Sequence, residues 1–187
     1  MKLNSYATEL CHVNFPAFEG RQKYMYTFPE DLRTITDPLL KVYEGLAEKA
    51  LSFIPNLKAV HMTVDEKVVK EGWSQRKPGP HVDGRFMPEE MRWSHRPGWA
   101  HYCNSIPVDR MPVIVAANVP GCVVYEGVFE GEPKSDGDLS HLDLGRGRLL
   151  EANKAYLLSA DCIHESIVFD VDTERSFVRF ALDLAHS

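Results

Sequence analysis

Cysteine is scarce in this chain, and long apolar runs are missing. Four of the 187 residues are cysteines, widely spaced and without a Cys-x-x-Cys pair: Cys11, Cys103, Cys122 and Cys162. No apolar run approaches the length of a membrane span, and the first residues lack the apolar core of a signal peptide. A chain without an export signal keeps its thiols reduced. We therefore expect a cytoplasmic protein without disulfides or membrane contact.

Positive charge is also in short supply. The chain has 21 Lys and Arg against 27 Asp and Glu, a formal net charge of −6, and no basic run is longer than Arg76-Lys77. An acidic surface repels phosphate backbones, which disfavours nucleic acid as a partner. The composition, 44% hydrophobic and 26% charged, is ordinary for a globular protein, and 187 residues suit a single domain. A small-molecule substrate is the expected partner, with the oligomeric state left open.

One helix is predicted in the amino-terminal third. Asp37-Pro38 is a favourable helix start, with Asp as the cap and Pro at the first helical position. Apolar residues then recur at helical spacing from Leu39 to Ala50, and the helix should end near Phe53. The segment before it shows no clear period. Residues 1–58 are therefore predicted to be a helical and irregular support for the rest of the fold.

From Ala59 onward, short β-like runs are separated by Gly, Pro, Asn and Asp. Eight such runs without intervening helices indicate an all-β sandwich or barrel rather than alternating β/α units. Residues 86–98 form an irregular insertion after the second run and are a candidate lid. The predicted core spans residues 59–187, and its strands are Ala59–Val64, Pro80–Arg85, Ala100–Ser105, Pro112–Asn118, Cys122–Phe129, Ala155–Ser159, His164–Asp170 and Arg175–Leu184.

Three residues in these runs form a candidate metal site. Residues i and i+2 of a strand point the same way, so His81 and Asp83 can reach one metal ion from a single strand. His164, at the start of a distant run, can supply a third ligand if its strand folds back beside the first. Two imidazoles and one carboxylate are the ligand set expected for non-haem Fe(II) oxygenases, because they leave coordination positions open for oxygen.

Two arginines lie in the last apolar run. Arg175 and Arg179 fall on one face of the predicted strand. An unpaired guanidinium is costly to bury, so Arg179, between Val178 and Phe180, should meet an anion. That anion is either a carboxylate of the protein's own core or an anionic cosubstrate bound in bidentate fashion. Together with the three candidate metal ligands, the arginines favour the second alternative.

The order of these residues resembles the Fe(II)/2-oxoglutarate-dependent dioxygenase superfamily. Its motif is His-x-Asp, then a distal His, then an Arg on the following strand, and the match is His81-Val82-Asp83, Cys162-Ile163-His164-Glu165 and Glu174-Arg175-Ser176. The resemblance covers the carboxy-terminal two thirds of the chain. It implies a mainly β fold, the double-stranded β-helix (a jelly-roll, cupin-like barrel), flanked by amino-terminal helix, and it indicates no particular subfamily.

The resemblance also implies roles for the site residues. His81, Asp83 and His164 would bind Fe(II), and Arg175 would bind the distal carboxylate of the cosubstrate 2-oxoglutarate. Arg179 would contact the inner carboxylate or an anionic substrate, and the two arginines could exchange roles. With O2, such an enzyme decarboxylates 2-oxoglutarate to succinate and CO2 while oxidising its substrate, by default through hydroxylation. The protein's part is to position the reactants and exclude water.

Four residues are candidates for substrate contact: Arg85, Trp93, Tyr102 and Asn104. Arg85 continues the strand face of His81 and Asp83 and could hold an anionic group, although an ion pair with a loop acid explains it equally well. The other three lie in segments expected to border the barrel mouth. A spare inward arginine favours a substrate that carries a carboxylate, sulfonate or phosphate.

Three functions are compatible with the sequence. The first is hydroxylation of a small polar or anionic metabolite, such as an amino acid or a natural-product intermediate. The second, in the same superfamily, is that of a peptidyl or prolyl hydroxylase. The third is a cupin-like barrel that binds a metal or ligand without redox activity, but such a barrel has no need for two inward arginines.

Overall fold

The computed structural model describes residues 2–29, 34–83, 112–134 and 137–184. In these ranges the chain forms eleven strands, a 3₁₀ turn at Lys41–Tyr43 and one α-helix, α1, at Glu44–Leu51. No helix within them is long and apolar enough to cross a membrane. The strands are β1 Lys2–Ser5, β2 Ala7–His12, β3 Gln22–Thr27, β4 Leu57–Val69, β5 Val113–Ala117, β6 Cys122–Tyr125, β7 Gly127–Glu130, β8 Arg148–Leu149, β9 Lys154–Leu158, β10 Ile163–Ser166 and β11 Thr173–Leu184.

The strands pair in antiparallel sheets. Six of them build a large sheet in the order β2-β9-β5-β11-β4-β3, three build a small sheet in the order β10-β6-β8, and β1 pairs with β7. Side chains of both larger sheets pack into one core, which includes Val115 of β5, Val124 of β6 and Phe177 of β11. The protein is therefore mainly β, and its antiparallel sheets are compatible with a β-sandwich.

Strand β11 contacts a different core with each face. Val178 and Phe180 pack in the cluster that also contains the buried residues of α1, whereas Phe177 belongs to the core shared with the small sheet. Because side chains alternate along a strand, Arg175 and Arg179 share the face of Phe177. Both arginines therefore lie on the face of the large sheet that is turned towards the small sheet.

The helix begins later than the sequence predicts. Asp37 accepts a hydrogen bond from the N–H of Leu39 through its side chain at 2.9 Å and one from the N–H of Leu40 through its carbonyl at 3.1 Å. These bonds close a turn, so regular α-helix starts only at Glu44. The helix buries Leu46, Ala47, Ala50 and Leu51 against the large sheet, which is the packing expected from its apolar spacing.

The amino-terminal segment differs more from expectation, because three strands lie in the first 27 residues. Two of them, β2 and β3, are the edge strands of the large sheet, and the residues of β3 are mostly exposed. A strand that buries only part of one face has a weak period of two, which explains why the pattern indicated irregular structure. The run Cys122–Phe129 is also divided, since Glu126 separates β6 from β7.

Two predicted strands are described only in part or not at all. In the run Pro80–Arg85, His81 makes an isolated bridge to Asp138 and to His164, and residues 84 and 85 lie outside the described residues. The run Ala100–Ser105 lies wholly outside them.

A buried carboxylate on β4 stabilises the packing of the amino-terminal segment. Glu66 accepts hydrogen bonds from the N–H groups of Glu19 and Arg21, both at 2.9 Å, from the Arg21 guanidinium at 3.0 Å, and from the Tyr43 hydroxyl. Burial raises the pKa of Glu66, but the hydrogen bonds from Tyr43, Arg21 and Glu19 outweigh it and hold the pKa below its ordinary value. The ionised carboxylate is the form that the fold stabilises.

Replacing Glu66 with Gln is expected to lower the free energy of unfolding by about 2–4 kcal/mol, because the buried Arg21 side chain loses its buried counter-charge and keeps only the exposed Glu19 as a partner. Urea denaturation at neutral pH measures the change. Since the pKa is depressed, the contribution is complete above about pH 4.3 and is lost as the pH falls through the lower folded pKa. Glu151→Gln is the control, because Glu151 pairs with Lys154 at the surface. Equal unfolding midpoints for the two variants would contradict the prediction.

Candidate metal centre

The backbone holds His81 and His164 side by side. The N–H of His81 donates to the carbonyl of His164 at 3.0 Å, and the N–H of His164 donates to the carbonyl of His81 at 2.9 Å. The two residues thus form a directly opposed antiparallel pair, which brings their ring centroids to 4.6 Å. His164 lies on β10 of the small sheet, so the strand from a distant part of the chain does fold back beside His81.

The two imidazoles are oriented in the same way. Nδ1 of His81 lies 2.7 Å from the carbonyl of Gly79, and Nδ1 of His164 lies 2.9 Å from the carbonyl of Cys162. A carbonyl oxygen can only accept, so each Nδ1 must carry the proton and donate it. Nε2 is then the ring atom that can bind a metal. Histidines that bind metals commonly have their second ring nitrogen fixed by a backbone carbonyl in this manner.

Asp83 completes a group of three. One potential ligand atom from each of His81, Asp83 and His164 lies within 4.8 Å of the other two, and Nε2 of His164 is 3.7 Å from Oδ2 of Asp83. These three residues could hold a metal ion. The convergence predicted from the His-x-Asp spacing and the distant histidine is therefore present.

The charges of the group suit a divalent cation. Burial, with the nearby His164, lowers the pKa of His81 to about 4, so its imidazole is neutral at neutral pH. Burial acts to raise the pKa of Asp83, but Arg179 and the two histidines outweigh it and lower that pKa to about 2. The carboxylate is therefore already ionised at neutral pH, and a metal ion would not have to displace a proton from it. Mixed imidazole and carboxylate ligands suit a borderline transition metal better than a hard cation such as Ca²⁺.

Arg179 is paired with this group. Its Nη2 lies 2.8 Å from Oδ2 of Asp83, the oxygen that also faces His164. The sequence predicts that Arg179 meets an anion and favours a cosubstrate as that anion. In the structure, the anion beside Arg179 is a carboxylate of the protein, Asp83. The ion pair keeps Asp83 ionised and places a cation directly beside the candidate metal position.

Arg175 has a different environment. It is 1% exposed, and its guanidinium lies over the rings of Phe169 and Phe177, 5.9 and 5.5 Å from their centroids. Its Nε donates to the carbonyl of Val119 at 3.1 Å, and its Nη1 donates to Oε1 of Gln75. Both acceptors are neutral, and no carboxylate of the described ranges is in ion-pair contact with Arg175. Burial lowers the pKa of Arg175 to about 10, which still leaves it charged at neutral pH.

The other predicted site residues cannot be placed. Arg85, Trp93, Tyr102 and Asn104 lie outside the described residues, as does the candidate lid at 86–98.

Sequence reasoning missed two residues that surround Arg175. Gln75 is 4% exposed although it lies in a polar connection, where a glutamine normally indicates a surface position. Gly121 follows Pro120 and resembles an ordinary turn residue, yet a Cβ added there would lie 2.7 Å from Nε of Arg175. Neither position carries a signal that period or motif could have detected, because their importance comes from contact with a residue more than 50 positions away.

Comparison with protein-family models gives no match, and no curated protein matches the chain. Function must therefore be inferred from the site itself.

Proposed function

We propose that the protein is a non-haem Fe(II)- and 2-oxoglutarate-dependent oxygenase. One observation carries the proposal: a His₂-carboxylate group contacts Arg179, and Arg175, which is fully buried and has no carboxylate partner among the described residues, lies on the same inward face of β11. Burying a guanidinium against neutral groups alone is costly, so an anionic ligand at Arg175 would recover that cost. A metal site that contacts one inward arginine of β11, with a second inward arginine four residues along the strand, is an arrangement that a metal-chelating 2-oxo acid with a distal carboxylate could use.

The arrangement of sheets also favours this proposal. The resemblance implies a double-stranded β-helix, a jelly-roll barrel that holds its metal ion inside one mouth. Here His164 lies on the small sheet and Arg175 on the inward face of the large sheet. We therefore propose that the sandwich is a jelly-roll of this kind, with the short helix on its outer side.

Each residue has a defined part in the proposed site. His81, Asp83 and His164 would hold Fe(II), and iron bound there with 2-oxoglutarate would supply oxygen activation coupled to release of succinate and CO2. Arg175 binds the distal carboxylate, because its guanidinium is charged and its hydrogen-bond partners among the described residues are neutral. Arg179 keeps Asp83 ionised and presents a cation to the inner carboxylate. We propose this division for the two roles that the sequence left interchangeable.

The proposed substrate is a small polar or anionic metabolite, such as an amino acid, and the proposed reaction is hydroxylation. With Arg179 paired to Asp83, it no longer counts as a spare arginine for the substrate. A further arginine, Arg76, also has a carboxylate nearby, so it gives no separate support for an anionic substrate. It is partly exposed, its guanidinium lies 5.7 Å from the centroid of Phe177, and it is 3.7 Å from Oδ2 of Asp65.

Anaerobic addition of Fe(II) and 2-oxoglutarate to the metal-free protein tests the proposal. We expect a weak visible absorption band from the chelated cosubstrate, absent from a His164→Ala variant prepared in parallel. A cupin-like barrel without redox function would bind the metal but give no band. Succinate release should then be measured with a panel of amino acids, other anionic metabolites, neutral metabolites and proline-containing peptides. Release triggered only by peptides would favour a peptidyl hydroxylase, and no band with any metal loading would refute the oxygenase.

A further inference from the structure

We infer that Gln75 is a positioning residue, which fixes the Arg175 guanidinium for a carboxylate ligand without neutralising its charge. The inference rests on the proposed function, since it concerns the same anion site. Gln75 does not contact the candidate metal ligands in any hydrogen bond of the described residues. Its effect would act through Arg175 alone.

Both polar atoms of the Gln75 side chain, Nε2 and Oε1, form hydrogen bonds. Its Nε2 donates to the carbonyl of Asp65 at 2.6 Å, which fixes the amide orientation because a carbonyl cannot donate. Oε1 must then point the other way, and it accepts from Nη1 of Arg175. The backbone is held as well, since Nζ of Lys67 donates to the carbonyl of Gln75 at 2.7 Å. An amide that is held at three points offers the arginine a rigid acceptor.

The connection that carries Gln75 is itself anchored to the small sheet. The N–H of Arg76 donates to Oγ of Ser166 at 3.4 Å, and the N–H of Ser166 donates to the carbonyl of Lys77 at 3.2 Å. Ser166 is the last residue of β10, the strand that bears His164. The distance between the anion site and the candidate metal ligands is thus set by a short, hydrogen-bonded path.

The guanidinium is also held on the side of the connection that contains Val119 and Gly121. Nε is engaged by the carbonyl of Val119 at 3.1 Å, and Gly121 lies so close that a Cβ there would fall 3.0 Å from Nη2 and 2.7 Å from Nε. With Nε and Nη1 both bonded, Nη2 is the nitrogen to which the described residues give no hydrogen bond. It is the donor that a carboxylate ligand would use.

The chemical identity of residue 75 matters for this role. Glutamine accepts a hydrogen bond but carries no charge, so Arg175 stays a net cation. A glutamate of the same length would form an internal ion pair and compete with an anionic ligand for the same guanidinium. The structure therefore predicts that charge at position 75, rather than packing there, controls cosubstrate affinity.

The test compares two 2-oxo acids on the Mn(II)-loaded full-length protein. 2-Oxoglutarate carries the distal carboxylate that Arg175 would bind, whereas pyruvate has the same chelating end and lacks it. Isothermal calorimetry should give a wild-type preference for 2-oxoglutarate. In Gln75→Glu we expect its Kd to rise at least about tenfold, with the Kd values of pyruvate and Mn(II) unchanged.

Two further variants keep the result interpretable. Gln22→Glu makes the same charge change at another glutamine near Asp65, since Nε2 of Gln22 lies 3.3 Å from Oδ1 of Asp65. This variant should keep the wild-type preference for 2-oxoglutarate over pyruvate. Gln75→Met removes the hydrogen-bond acceptor without adding charge, and it should weaken the binding of 2-oxoglutarate less than Gln75→Glu does. It also tests the role of Gln75 if the glutamate variant does not fold. If Gln75→Glu weakened the binding of both oxo acids equally, or if neither Gln75 variant weakened the binding of 2-oxoglutarate, the inference would be overturned and the proposed function would stand. Wild-type protein that binds neither oxo acid would overturn the proposed function and the inference with it.

Discussion

Replacing His164 with Ala is expected to weaken binding of a divalent metal at least about 100-fold while leaving the fold intact. The imidazole is one of only three potential ligands in the group, and its loss leaves a single histidine and a carboxylate. The backbone pairing of His164 with His81 uses main-chain atoms, so truncation of the side chain does not remove it. Calorimetry with Mn(II) or Co(II) measures the affinity, and circular dichroism checks the fold.

His61→Ala is the matched control for that experiment. His61 also lies on a strand, but its Nδ1 is 3.0 Å from Oγ1 of Thr27 and it is not part of the three-residue group. Its removal should leave metal affinity within about twofold of wild type. His81→Ala and Asp83→Ala should behave as His164→Ala does. Any of the three variants that keeps near-normal affinity would exclude that residue from the ligand set.

Strand periodicity led to the candidate residues, but it accounts for only one of the two pairs. Arg175 and Arg179 are four positions apart on β11 and share one face, as a strand requires. His81 makes only isolated bridges and Asp83 lies in a bend, so their convergence does not come from a regular strand. The third ligand, His164, was a candidate because it begins a distant run, and the resemblance to a known motif implies the same role. The antiparallel pairing that brings it to His81 could only be seen in the structure.

The environment of each arginine could not be predicted in the same way. The sequence offered a core carboxylate and an anionic cosubstrate as alternative partners for Arg179, and the structure pairs it with Asp83. Arg175 owes its environment to Gln75, Val119 and Gly121, which come from two connections remote in the chain. Such contacts depend on register and on loop paths, and neither is encoded in a local period.

The edge strands of the large sheet were also difficult to predict from local sequence pattern. A central strand such as β11 is buried over most of its length, so most of its buried residues are apolar. The edge strand β3 buries little, so its residues resemble a loop until the partner strand β4 is known. Local pattern therefore predicted the buried strand β11 better than the exposed edge strand β3.

Replacing Arg175 with Lys is expected to raise the Kd of 2-oxoglutarate about 10- to 100-fold on the Mn(II)-loaded protein, with metal affinity unchanged. Lysine keeps the positive charge but loses the planar fork. A single ammonium cannot reach the carbonyl of Val119, Oε1 of Gln75 and a ligand carboxylate with the geometry that three separate nitrogens allow. Calorimetric titration with 2-oxoglutarate, after separate titration with Mn(II), measures the two affinities.

Arg179→Lys is the informative comparison, because it makes the same chemical change four residues away on the same strand face. Its ammonium can still form an ion pair with Asp83, so 2-oxoglutarate affinity should fall by less than about threefold. If Arg179→Lys instead causes the large loss and Arg175→Lys does not, the assignment of the two arginines is reversed. The two outcomes have different physical meanings. A loss at Arg175 places the distal carboxylate among Phe169, Phe177 and Gln75, whereas a loss at Arg179 requires the ligand to take a guanidinium that Asp83 now holds. In the second case metal and cosubstrate would compete through Asp83, and the Mn(II) affinity of Arg179→Lys would have to change as well.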